Sequence, residues 1–101
     1  MSSSPNKISD WNVAAVLLIN NNEMHYNELT EKIRLTALTD LGKLGETPTQ
    51  TLNSSLKKKK DVFNRIEGAG IYSLNCQGNK EEFVIGKIGL DKYNKICKML
   101  N

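Results

Sequence analysis

The chain has 101 residues, 39% hydrophobic and 25% charged, with a formal net charge of +3, which predicts one soluble core of ordinary domain size. Two prolines and seven glycines argue against a disordered or fibrous chain. The longest apolar run, Val13 to Ile19, is far short of the roughly 18 to 20 residues that a membrane helix needs. Met1-Ser2-Ser3-Ser4-Pro5 lacks the basic and apolar regions of a signal peptide. Cys76 and Cys97 are too few for a disulfide framework and read as free thiols of a reducing compartment. With one histidine, the chain predicts no metal site and no cofactor.

Lysine dominates the cations, 12 against 2 Arg, beside 12 Asn. Lys and Asn share adenine-rich codons, so the total speaks of an A·T-rich genome more than of a selected surface. Position is more informative. Residues 1–42 hold three Lys+Arg against five Asp+Glu. Residues 43–72 hold six against three, and residues 73–101 five against three. The middle segment is the basic one, chiefly through Lys57-Lys58-Lys59-Lys60.

In chain order, residues 1–9 read as a flexible polar tail, in which Ser9, or Asp10 after it, can cap a helix. Trp11 to Asn21 is predicted helical, with Trp11, Ala14, Ala15, Leu18 and Ile19 on one wide apolar stripe. Asn20-Asn21-Asn22 should end it by adopting left-handed angles. Met24-His25-Tyr26 suits one arm of a small sheet. Asn27 then caps a second helix, with Glu28 and Glu31 at its positive end and Leu29, Ile33 and Ala37 on its buried line. Ala37 to Gly45 is a connection.

The clearest local signal is Thr47-Pro48-Thr49-Gln50. Thr47 is the N-cap, Pro48 the first helical residue, and Gln50 completes a capping box. The third helix should run from Pro48 to about Lys59. Leu52 and Leu56 face the core, and Gln50, Asn53, Ser54, Lys57 and Lys58 lie opposite. Val62 to Glu67 and Ile71 to Leu74 form a β-hairpin around Gly68-Ala69-Gly70. After a loop at 76–80, Glu82 to Ile88 reads as an edge strand. Asp91 caps a last helix lined by Tyr93, Ile96, Cys97 and Leu100. The fold class is mainly α with a small β-hairpin, in winged helix-turn-helix order, with a C-terminal strand-and-helix extension.

A winged helix can lay one helix in the major groove of duplex DNA. Gln50, Asn53, Ser54, Lys57 and Lys58 are the residue types that reach base edges and phosphates. Thr47 and Thr49 sit at a helix N-terminus suited to a phosphate. Arg65, in the hairpin, can follow a backbone. The alternative for the helix is a solvated polar face whose lysines balance the helix dipole; for the hairpin it is a plain tight turn. No triad, paired carboxylates or phosphate loop accompanies these residues. His25 reads as a structural histidine, Trp11 and Tyr72 as core.

The pattern Trp11…Ala14-Ala15…Leu18, Met24-His25-Tyr26…Leu29-Thr30…Ile33, Gly45-Glu46-Thr47-Pro48…Thr51-Leu52-Asn53…Leu56, Phe63…Gly70-Ile71-Tyr72-Ser73-Leu74 resembles the HARE-HTH domain over residues 10–75. The resemblance implies a winged helix that binds DNA, in proteins linked to restriction endonucleases, chromatin or the delta subunit of bacterial RNA polymerase. Residues 76–101 lie outside it, as a cap on the domain or the start of a second one. The function expected is double-stranded DNA binding, without catalysis, beside a restriction-modification or other DNA-processing enzyme or RNA polymerase. The alternative is a protein-interaction winged helix in a transcription or chromatin assembly. The expected compartment is the bacterial cytoplasm, or the nucleus of a eukaryote.

Overall fold

The computed structural model describes residues 8–36, 48–66 and 68–100. Over these it forms five helices and one three-stranded sheet, in the order α1 (Asp10–Asn20), β1 (Met24–His25), α2 (Tyr26–Thr36), α3 (Pro48–Lys57), β2 (Phe63–Ile66), β3 (Ile71–Leu74), α4 (Lys80–Ile88) and α5 (Leu90–Leu100). The molecule is thus mainly helical with a small antiparallel sheet, as its element pattern predicts. The expectations for residues 1–7, for Ala37 and the connection after it, and for the Thr47 cap lie outside the described residues; the flexible tail does not extend to residue 9, because Ile8 is buried in the core and Ser9 caps the first helix.

α1 is the axle of the fold. Residues Asn12 to Leu18 are all buried, because α2, α3, α4, α5 and β3 all pack on this helix. A helix covered all round needs no polar face, which is why its apolar stripe is so wide. Ser9 is its N-cap, and the Ser9 N–H donates to Asn12 Oδ1 at 3.0 Å. At the other end the asparagines act differently from the expectation. Asn21 is extended (φ −119°, ψ 119°), and its side-chain Nδ2 donates to the Leu17 carbonyl at 2.9 Å. The side chain, not a left-handed backbone, satisfies the open end.

β1 joins the hairpin as an outer strand, giving the order β1-β3-β2 with all pairs antiparallel. Met24 lies opposite Tyr72 and His25 opposite Ile71; Phe63 lies opposite Leu74 and Arg65 opposite Tyr72. The strand passes straight into α2. The second helix therefore starts at Tyr26, two residues earlier than a cap at Asn27 allows. His25 serves instead: its Nδ1 accepts from the Asn27 N–H at 3.0 Å, while the Tyr26 N–H donates to the Gly70 carbonyl at 3.0 Å. Sheet pairing fixes His25 where its imidazole can take over the capping role.

The hairpin turn crosses this junction closely. Gly70 has φ +69°, and a Cβ there would lie 2.5 Å from Tyr26 Cε2 and 3.0 Å from His25 Nε2. Gly68 is also left-handed (φ +78°) but faces open space. Gly68→Ala should therefore cost only backbone strain, about 1 kcal/mol. Gly70→Ala should cost about 1–3 kcal/mol more, because the Tyr26 ring must move. Thermal melting of both variants checks this; equal midpoints would refute the close approach.

Residues 82–88 form no edge strand. They belong to α4, and the reason is local. Asn79 Oδ1 accepts from the Glu82 N–H at 3.0 Å, Glu81 and Glu82 occupy the positive first turn, and the Gly89 N–H (φ 96°) closes on the Ile85 carbonyl at 2.8 Å. Val84 and Ile88, four apart, are buried. α5 then begins at Leu90, so Asp91 sits in its first turn rather than at its cap. Ile96 is buried, with Tyr93, Cys97 and Leu100 against the core. α4 and α5 pack on α1 and on each other.

Candidate nucleic-acid interface

α3 is positioned from three sides. Leu52 and Leu56 are fully buried, and the helix packs on α1, α2 and β2. Ser55 Oγ reaches Asp10 Oδ2 at 3.4 Å, tying α3 to the start of α1. Burial there raises the Asp10 carboxyl above its ordinary range, against the pull of its hydrogen bonds from Trp11 N–H and Ser55.

The opposite side of α3 is open. Gln50, Ser54 and Lys57 are exposed, and Lys58 follows them in the turn beyond the helix. Their spacing puts the helical three on one stripe, directly across from Leu52 and Leu56. Thr49 is half-buried on the shoulder of the helix. Arg65 is exposed on β2. Thr47 lies outside the described residues.

Asn53 stands apart from that stripe. Its Oδ1 accepts the hydrogen bond of the Tyr72 hydroxyl. Tyr72 is wholly buried in the sheet, and burial raises its pKa, with Arg65 pulling the other way. A buried tyrosine hydroxyl needs a partner, and Asn53 supplies it from the neighbouring helix. This bond couples α3 to β3, which sequence spacing alone does not reveal. Tyr72→Phe should leave Asn53 unpaired and cost about 1 kcal/mol of stability. The same change combined with Asn53→Leu should recover part of that loss in chemical denaturation. Two additive losses would count against the pairing.

The lysine run divides. Lys59 turns back over the Trp11 ring, Nζ 4.7 Å from its centroid, a cation–π contact that holds the end of α3 to α1. Lys57, Lys58 and Lys60 remain exposed. Asp61 is the one acidic residue among 48–66. Its Oδ2 lies 3.1 Å from Lys87 Nζ of α4, and this hydrogen bond is the main cause of a carboxyl pKa below the usual range.

Between the end of α3 and β2 lies a notch of about 520 Å³. Leu56, Phe63 and Tyr72 form its floor; Lys57, Lys60, Asn64 and Arg65 form its rim. The sequence reading names Lys57 and Arg65 here but not Lys60 or Asn64. The signal for Lys60 was its place in the lysine run. Asn64 gave none, since its neighbours depend on how the hairpin meets α3. Among the described residues no three His, Cys, Asp or Glu side chains come together as metal ligands, and no helix is long and apolar enough to cross a membrane. No protein-family model matches the chain, and neither a curated protein nor a solved structure does.

Proposed function

We propose that the chain is a winged-helix module that binds double-stranded DNA, with α3 in the major groove and the β2–β3 hairpin as its wing. The observation that carries this reading is the open face of α3. Gln50, Ser54 and Lys57 form a polar stripe that continues into Lys58, and Arg65 is exposed on the adjoining strand. The element order and the β1-β3-β2 sheet are compatible with a winged helix. In this reading Lys57, Lys58 and Arg65 meet phosphates, and Gln50 and Ser54 meet base edges. Thr47 and Thr49 serve the N-terminal end of the helix. Asn53 acts mainly by holding α3 to the wing through Tyr72. The module has no catalysis of its own and serves a DNA-processing system, restriction-modification among them, or RNA polymerase. That last step rests on the resemblance to the HARE-HTH domain.

Titration of a labelled duplex at two salt concentrations tests the reading. Each phosphate contact should contribute about 0.9 to the slope of log K against log salt. Three or four contacts predict a slope near −3. No binding at low salt would overturn the proposal. It would favour a protein-interaction module, to which the exposed Leu35 (79%) and Met99 (50%) beside one groove also point.

A further inference from the structure

The notch at the end of α3 supports an inference that rests on the DNA-binding reading and deepens it. We propose that it is a phosphate site: one backbone phosphate of the bound DNA sits between Lys57, Lys60 and Arg65, with Asn64 as a neutral donor. Lys87 of α4 is a positioning residue that draws Asp61, the one carboxylate among the described residues 48–66, away.

The chemistry follows from what is accessible. The floor is nearly sealed, with Leu56 1%, Phe63 4% and Tyr72 0% exposed. A ligand therefore meets the rim, and the rim offers three cations and one amide. Two ammonium point charges and one guanidinium fork suit the several acceptor oxygens of a phosphate. A volume of about 520 Å³ leaves room for the group with its sugar.

The rim is also fixed in advance. The Lys60 carbonyl accepts from Asn75 Nδ2 at 3.2 Å. The Asn75 N–H reaches the Val62 carbonyl at 2.8 Å, and the Phe63 N–H reaches the Lys59 carbonyl at 2.9 Å. Arg65 is locked opposite Tyr72, whose hydroxyl is bonded to Asn53 of α3. Little backbone ordering remains to oppose binding. Asp61 would repel a phosphate if unpaired, and its bond to Lys87 directs it toward α4.

The test uses the full chain, first with inorganic phosphate and then with a duplex. In two-dimensional amide NMR, phosphate should cause saturable shifts at Lys57, Lys60, Asn64 and Arg65, and Lys60→Ala should remove them. Lys60→Ala should also reduce the duplex salt slope, by less than the roughly 0.9 of a whole phosphate contact because Lys57 and Arg65 still face the same phosphate, whereas Lys95→Ala on α5 should not. Lys87→Ala should weaken phosphate binding with the notch itself unaltered. Melting curves verify that each variant is folded. Duplex binding that keeps its full slope in Lys60→Ala would overturn the notch while leaving the wider reading intact. Saturable phosphate binding at the notch without any duplex binding would instead overturn the DNA reading and, with it, the strand as the source of the phosphate.

Discussion

Leu52→Ala should lower the thermal midpoint by about 15 to 40 °C. Leu52 is fully buried, on the side of α3 that meets the rest of the core. Removing its isobutyl group loses transfer free energy and leaves a cavity, together about 2–5 kcal/mol. For a domain of about 100 residues, each kcal/mol moves the midpoint by roughly 4–8 °C. The cost should fall in the upper half of the range, because α3 is held on both flanks and cannot collapse into the gap. Lys59 anchors one end to Trp11, and Asn53 is bonded to Tyr72. Ser54→Ala, two residues on and exposed, is the comparison; it should stay within about 0.5 kcal/mol. Circular dichroism melting reads both. If Leu52→Ala melted within a few degrees of the parent, α3 would not be packed as described.

Much of this arrangement was legible in the sequence, and the exceptions share a cause. The Trp11–Ile19 stripe, the Pro48 entry to α3 and the Phe63–Leu74 hairpin follow from periodicity and turn chemistry, which are local. α4 misled because Phe83-Val84-Ile85-Gly86 reads locally as a strand: β-branched, aromatic and followed by a poor helix former. Its outcome depends on the Asn79 cap and on α1 accepting Val84 and Ile88, and the second of these is tertiary. The cap of α2 shows the same limit. Asn27 has the better intrinsic capping propensity, but sheet pairing delivers His25 to the position first. At the candidate interface the exposed stripe on α3 was legible from spacing, whereas the fate of each shoulder residue was not. Asn53 lies on the polar side by count, yet it turns to a hydroxyl nineteen positions away. Lys59 sits within a uniform lysine run, and only the fold separates it from Lys58 and Lys60.

Lys57→Glu with Lys58→Glu should weaken duplex binding about 30-fold or more at 0.15 M salt. Both side chains are exposed, and the proposed docking brings both to phosphates. An exposed ionic contact is worth up to about 1 kcal/mol, and charge reversal replaces attraction with repulsion, so the pair is expected to change binding by about 2–3 kcal/mol. The salt slope should flatten by about 1.8, the share of two counterion-releasing contacts. The weakening should be similar for every duplex sequence, because phosphates carry no base identity. Gln50→Ala should instead alter preference among sequences. A simple loss of net charge is distinguished by Lys95→Glu with Lys98→Glu, which changes the formal charge equally on α5, a helix packed on α1, α2 and α4. That control should alter affinity only slightly at 0.15 M salt, where charges beyond about 8 Å are screened. Glutamate at position 57 also opposes the dipole at the end of α3, at about 0.3–1 kcal/mol, so melting curves must confirm that both double variants remain folded. Equal weakening by the two pairs would mean that the molecule is attracted to DNA by its overall charge, and the face of α3 would lose its claim to be the docking surface.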